Sequence, residues 1–165
     1  MNQLNDKMPI GFGFGSNMGD RPNNIRHALK LIEERGIARL NAVSSIYRTP
    51  PWGNVTQDDF ANACALGETH LEPLALLAAV KQIETDLGRT PEVRWGPRLI
   101  DIDLLFYGDT RVELPELVLP HKEIFNRAFV LVPLLEIAPT LELGGRPLTD
   151  VLDGLSSADV RKWND

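Results

Sequence analysis

The chain predicts an α+β fold: a βαββαβ core with a mainly antiparallel sheet, followed by extra C-terminal helices. Three observations predict it. Two segments carry apolar residues at helical spacing, four shorter ones are apolar runs or alternate every second residue, and they come in the order strand, helix, strand, strand, helix, strand.

Residues 10–15 form the first apolar run, ending in glycine. Residues 20–35 read as a helix: Pro22 suits its first turn, Ile25, Leu29 and Ile32 make a stripe, and Gly36 stops it. Residues 40–47 alternate and read as one strand, and 48–58, crowded with turn formers, as a loop. Residues 59–66 return to strand, with Phe60, Asn62 and Cys64 on one face. Residues 72–87 make the second helix, with Leu76, Val80, Ile83 and Leu87 on its stripe and Gly88 after it. A loop over 90–97 leads into a strong strand at 99–107. Residues 127–137 read as helical despite Pro133, and 147–152 as a last short helix. Residues 1–8 are polar and read as loose. This order matches the split βαβ, ferredoxin-like plan, with both long helices on one sheet face and the later helices over part of the other.

Length and charge bound the function. A chain of 165 residues is one domain, here spanning 1–165, and is long enough to bury a core. A composition of 43% hydrophobic and 24% charged residues excludes disorder, collagen and coiled coil. The longest uncharged apolar run, 128–135, is far short of the ~20 residues of a membrane helix. The first residues lack a signal peptide's basic start and apolar stretch. A net charge of −6 argues against non-specific nucleic-acid binding, which depends on neutralising phosphates, but not against a small anion held by local arginines. Cys64 is the only cysteine, so the chain forms no internal disulfide, and a cytoplasmic protein is expected.

The segment RWGPRLIDIDLLF at 94–106 carries the clearest chemistry. Asp101 and Asp103 stand two apart on an apolar strand, so both side chains leave the same face, about 7 Å apart at Cα. Like carboxylates held close repel, and a divalent cation relieves that cost; hard oxygen ligands suit Mg²⁺. A solvated face, or pairing with arginine, is the alternative reading. Arg89, Arg94 and Arg98 crowd the same stretch, and guanidinium groups suit phosphate oxygens. Cation ligands beside arginines are what phosphoryl-type transfer requires. No lysine follows a glycine, which excludes a P-loop, and Met18 stands where a dinucleotide fingerprint starting at Gly13 needs glycine. Gly13 and Gly15 read instead as points of close backbone approach. His27 and His70 read as surface residues, Cys64 as core, and His121 as a group able to meet the arginines. Trp52, Phe60 and Phe129 are candidates for a stacking slot, and Asn62, on the face of Phe60, for reading the edge of a flat heterocycle.

Six motifs then carry a family resemblance: GSNMGD (15–20), SSIYRTPPWG (44–53), DFANACA (59–65), RWGPRLIDIDLLFYG (94–108), LPH (119–121) and NRAFVLVPLLEIAP (126–139). In this order the chain resembles the 6-hydroxymethyl-7,8-dihydropterin pyrophosphokinases over residues 10–139. The resemblance implies a ferredoxin-like core and transfer of the β,γ-pyrophosphoryl group of ATP to the pterin hydroxymethyl, releasing AMP, in folate biosynthesis. It implies two Mg²⁺ ions held by Asp101 and Asp103. Arg89 and Arg98 would contact phosphates and, with the two Asp, form the catalytic set. Glu84, Arg94, Trp95, Arg98, Leu104, His121 and Arg127 would hold ATP. Phe60 and Phe129 would sandwich the pterin, with Asn62 and the chain at Thr49, Pro50, Pro51 and Trp52 along its edge. The loops at 48–58 and 89–97 would close over the reactants. The expected partners are these two small molecules, with no nucleic acid, no membrane and a monomeric chain. Phe60 and Lys122 stand where family members often carry Tyr, and the 89–97 loop is shorter than in a well-known member. A non-catalytic ferredoxin-like ligand-binding module is the alternative, disfavoured by the paired carboxylates.

Overall fold

The computed structural model describes residues 7–50, 59–88 and 99–163. The core elements are β1 (Met8–Ser16), α1 (Arg21–Glu34), β2 (Arg39–Val43), β3 (Tyr47–Thr49), β4 (Phe60–Thr69), α2 (Pro73–Asp86) and β5 (Asp101–Tyr107). A hairpin of β6 (Val112–Glu113) and β7 (Val118–Leu119) follows. A 3-10 turn at Ile124–Asn126 then leads into α3 (Ala128–Ile137). A second hairpin, β8 (Glu142–Leu143) and β9 (Arg146–Pro147), precedes α4 (Leu148–Asp153) and a final short strand, β10 (Arg161–Lys162).

The main sheet runs β10-β3-β4-β1-β5, with β2 also on β4, and every pairing is antiparallel. With β2 and β3 taken as one interrupted strand, this is the split βαβ arrangement the element order predicts. Four expectations are corrected. Residues 40–47 are two strands, broken at 44–46, and Arg48 and Thr49 belong to β3 rather than to the loop. At the break, side chains take over the backbone's partners. The Ser44 hydroxyl accepts from Cys64 N at 2.9 Å, and Ser45 N donates to the Glu136 carboxylate at 3.1 Å. β4 runs on to Thr69, and Met8 already belongs to β1 rather than to a loose terminus.

Alternation in β1 sorts the two faces. Ile10, Phe12 and Phe14 are buried with Ile25, Ala28 and Ile32 of α1 and Leu76, Val80 and Ile83 of α2. Each of these side chains larger than alanine contributes about 1.5–3 kcal/mol through burial. The opposite face carries Cys64, Leu105 and Phe106 against Val130, Leu131 and Leu134 of α3 and Leu148 and Val151 of α4. Both helical layers therefore lie where the sequence puts them.

Gly11 and Gly13 face α3's side for a steric reason. A bulge in β5 skips Leu105 between partners Phe12↔Leu104 and Gly11↔Phe106, which brings both Leu105 and Phe106 into the α3 layer. A Cβ on Gly11 would lie 2.5 Å from the Phe106 ring, and one on Gly13 would lie 3.4 Å from Leu105. The glycine-rich strand makes room for those side chains, as close backbone approach requires.

Candidate active site

Beyond the Leu105–Phe106 layer the α3 side of the sheet opens into a cavity of about 490 Å³. Its floor is the backbone of Gly13 and Gly15. One wall is Thr49, Pro50, Phe60 and Asn62 from β3 and β4. The wall opposite is Asp101 and Asp103 from β5. The rim is Glu123, Asn126, Arg127 and Phe129, contributed by the 3-10 turn and the start of α3.

The period-two argument for the aspartates holds. Asp101 and Asp103 are half-buried and line this one cavity, while Ile100, Ile102 and Leu104 are buried on the other side. Arg127 reaches toward the pair, its guanidinium 3.9 Å from the Asp103 carboxylate. The same guanidinium lies 5.6 Å over the Phe129 ring. Cation, carboxylates and aromatic face thus meet at one mouth of the cavity.

On the other wall the Asn62 amide donates to the Thr49 hydroxyl at 2.7 Å, a bond joining β3 to β4. This fixes the amide so that its acceptor end, Oδ1, lies only 3.6 Å from where a Cβ on Gly15 would stand. A Cβ there would meet that acceptor at ordinary van der Waals distance.

Asp103 also lines a second, smaller cleft of about 240 Å³. Leu77, Lys81, Leu104, Leu117, His121 and Lys122 contribute to it. Leu104 is 3% exposed and its side chain belongs to the helical core. His121 Nδ1 accepts from Glu123 N at 3.1 Å, which leaves Nε2 to carry the ring proton. Burial holds the His121 imidazole below its ordinary value; Asp103 pulls it up and Arg127 pushes it further down.

Glu84 differs from its neighbours in the expected nucleotide set. It is 1% exposed and lines neither cavity. Its carboxylate accepts from Ile102 N at 2.7 Å, on the outer edge of β5, and from Lys81 at 3.3 Å. It therefore grips the strand between the two aspartates. The residues missed by sequence reasoning include Glu123 and Asn126 of the cavity rim and Leu77, Lys81 and Leu117 of the cleft. Asn126 and Glu123 sit close to Arg127 in sequence, and Lys81 lies one turn before Glu84, which were the available signals. Pro51, Trp52, Arg89, Arg94, Trp95 and Arg98 lie outside the described residues.

Among the described residues no three His, Cys, Asp or Glu side chains converge as a self-sufficient metal cage. Two half-exposed carboxylates on one wall suit a divalent ion that takes its remaining oxygens from phosphate and water. His27 and His70 are exposed, and Cys64 is buried, as expected. No helix among the described residues is long and apolar enough to cross a membrane.

The family model described as 7,8-dihydro-6-hydroxymethylpterin-pyrophosphokinase matches residues 11–139. A protein of Methylorubrum extorquens named 2-amino-4-hydroxy-6-hydroxymethyldihydropteridine pyrophosphokinase is 45% identical over 150 residues, covering 91% of this chain and 95% of that one. The protein of the same name from Bacillus subtilis is 43% identical, covering 78% of this chain and 77% of its own. A mitochondrial folate synthesis bifunctional protein of Pisum sativum is 44% identical over 131 residues, and there the match spans only 25% of the longer protein. Among solved structures, a Plasmodium falciparum HPPK-DHPS with pteroate superposes with a TM-score of 0.72 at 16% identity, over 90% of this chain and 42% of that one. At that identity it bears on the fold alone.

Proposed function

The chain belongs to the 7,8-dihydro-6-hydroxymethylpterin-pyrophosphokinase family, and on that premise we propose how the two cavities lined by Asp103 divide the work. The activity is transfer of a pyrophosphoryl group from ATP to the hydroxymethyl of 6-hydroxymethyl-7,8-dihydropterin, in folate biosynthesis. The observation that carries the proposal is that Asp103 lines both cavities.

The larger cavity takes the pterin. Phe60 and Phe129 offer ring faces to a flat heterocycle. Asn62 Oδ1 accepts from an N–H on its edge, held in that orientation by Thr49, and Pro50 borders the same end; Pro51 and Trp52 are assigned to the pterin on their sequence motif. The smaller cleft takes ATP, between Leu77, Leu104 and Leu117 on one side and the polar groups of His121, Lys81 and Lys122 on the other. Arg89, Arg94, Trp95 and Arg98 are assigned to ATP on their sequence motif, and Arg127 on its position beside Asp103. Glu84 acts on this site indirectly, by fixing Ile102 and Lys81.

Asp101 and Asp103 would hold two Mg²⁺ ions, which when bound neutralise phosphate charge and favour loss of the pterin hydroxyl proton. The protein's own part is positioning: the pterin hydroxymethyl points at the aspartate wall and the phosphates arrive there from the cleft. Arginines balance the remaining charge and exclude water that would compete as acceptor. We place the chain in the cytoplasm as a single-domain monomer over 1–165, consistent with its one buried cysteine and acidic balance.

The test couples product identity to the aspartates. The wild-type protein with ATP, Mg²⁺ and the dihydropterin should yield AMP in step with pterin pyrophosphate. Asp101→Asn and Asp103→Asn should each lower kcat roughly a hundredfold or more, since a metal ligand carries several kcal/mol of charge stabilisation. Their melting temperatures should stay near wild type. Near-normal turnover in either variant would refute the assignment, as would ADP as the product.

A further inference from the structure

The last residues of the chain lie beyond 139, where the family match ends, yet they return to the wall of the larger cavity. β10 pairs with β3 through Arg161↔Arg48 and Lys162↔Tyr47, and Trp163 N donates to Ile46 O at 2.8 Å. The Trp163 side chain packs against the helical core. Its ring carries two guanidinium groups, Arg48 at 4.2 Å and Arg21 at 4.7 Å from the ring centre.

Both arginines converge on Asp59. Arg21 donates to its backbone carbonyl at 2.8 Å, and Arg48 Nε lies 3.6 Å from its carboxylate. Asp59 directly precedes Phe60, and Arg48 directly precedes Thr49. Thr49 and Phe60 are register partners in the sheet and together form one wall of the larger cavity. The indole therefore organises two cations that tie the end of β3, the start of β4 and the start of α1 into one unit. Each such contact is worth little when exposed and more when the ring is partly desolvated, as here. None of the cleft residues Leu77, Lys81, His121 or Lys122 belongs to this network.

We propose that Trp163 is a positioning residue for the pterin: it sets Thr49 and Phe60 through Arg48, Arg21 and Asp59, so the C-terminal strand tunes one substrate's binding and not the other's. The inference rests on the assignment of the larger cavity to the pterin. Trp163→Ala should raise KM for the dihydropterin about fivefold, with KM for ATP and kcat within about twofold. Trp163→Phe, which keeps a ring face, should recover most of the loss. Arg48→Gln, an exposed change that guards against misfolding of the alanine variant, should shift KM in the same direction. The proposal is overturned if Trp163→Ala or Arg48→Gln leaves the pterin KM unmoved, or if both substrates weaken equally. Asn62→Ala serves as the reference. If it raises the pterin KM and Trp163→Ala does not, only the clamp fails. If Asn62→Ala has no effect, the cavity assignment fails and the clamp with it.

Discussion

Cys64 illustrates how much a single side chain's surroundings decide. It sits on β4 on the same face as Asn62, but deeper, under α3, with its thiol donating to Val130 O at 3.5 Å. Burial pushes the thiol well above its ordinary range, and the negative charge of Asp103 pushes it the same way. Thiolate is the reactive form, so alkylation of the native protein at pH 8 should be slower than in urea by about tenfold or more. Equal rates would mean the α3 layer opens readily. At this scale the sequence is informative about types and spacing. The two aspartates announce themselves because Asp is rare in an apolar strand and period two fixes their common face. Glu84 is different: its spacing marks it as helical, but only the fold shows its carboxylate turned onto the Ile102 amide.

The break between β2 and β3 is an element-scale feature, and it hangs on Glu136 near the end of α3. Its carboxylate accepts from Ser45 N and Oγ at 3.1 and 3.0 Å and from the Tyr47 hydroxyl at 2.5 Å. Those partners lie about ninety positions earlier in the chain, so no local pattern announces them, and the alternation of 40–47 reads as one strand. Partial burial raises the Glu136 carboxyl, but the hydrogen bonds outweigh it and hold the folded value below the usual one. A carboxylate lowered on folding adds stability that is fully present above the unfolded value of about 4.3. That stability is lost as pH falls through the lower folded value. Glu136→Gln should therefore cost melting temperature at pH 7 and progressively less as pH falls through the lowered folded value and the wild-type carboxylate itself takes up a proton. The expected loss at pH 7 is about 1–3 kcal/mol, for hydrogen bonds to a charged group. A deficit that is constant across this range would remove the carboxylate from the explanation. Since α3 also carries Phe129, this contact joins the two sides of the larger cavity.

For the whole molecule, one antiparallel sheet serves two apolar layers of unequal extent. The α1–α2 layer covers its face, whereas the α3–α4 layer covers only part of the other, and the uncovered part is the cavity above Gly13 and Gly15. Hydrophobic stripes in the sequence predict which helices exist, and strand alternation predicts two buried faces. The vacancy could not be read that way, because it depends on where α3 stops short and on glycines whose role appears only beside Leu105 and Phe106. The two layers share β4 and β5, so each relies on the other's side of the same strands. Val80→Ala, beneath α2, should cost about 0.5–2 kcal/mol, and Leu131→Ala, beneath α3, about 2–5 kcal/mol. In urea both variants should shift the midpoint with an unchanged slope, and far-ultraviolet dichroism and tryptophan fluorescence should trace the same curve. If the layers were independent, Leu131→Ala would abolish pterin binding at a lower urea concentration than it melts the sheet, and the two curves would separate. Coincidence is the expected result, because removing α3 exposes Leu105, Phe106 and Cys64 on the very strands that carry Ala63 and Ile102 to the helices behind.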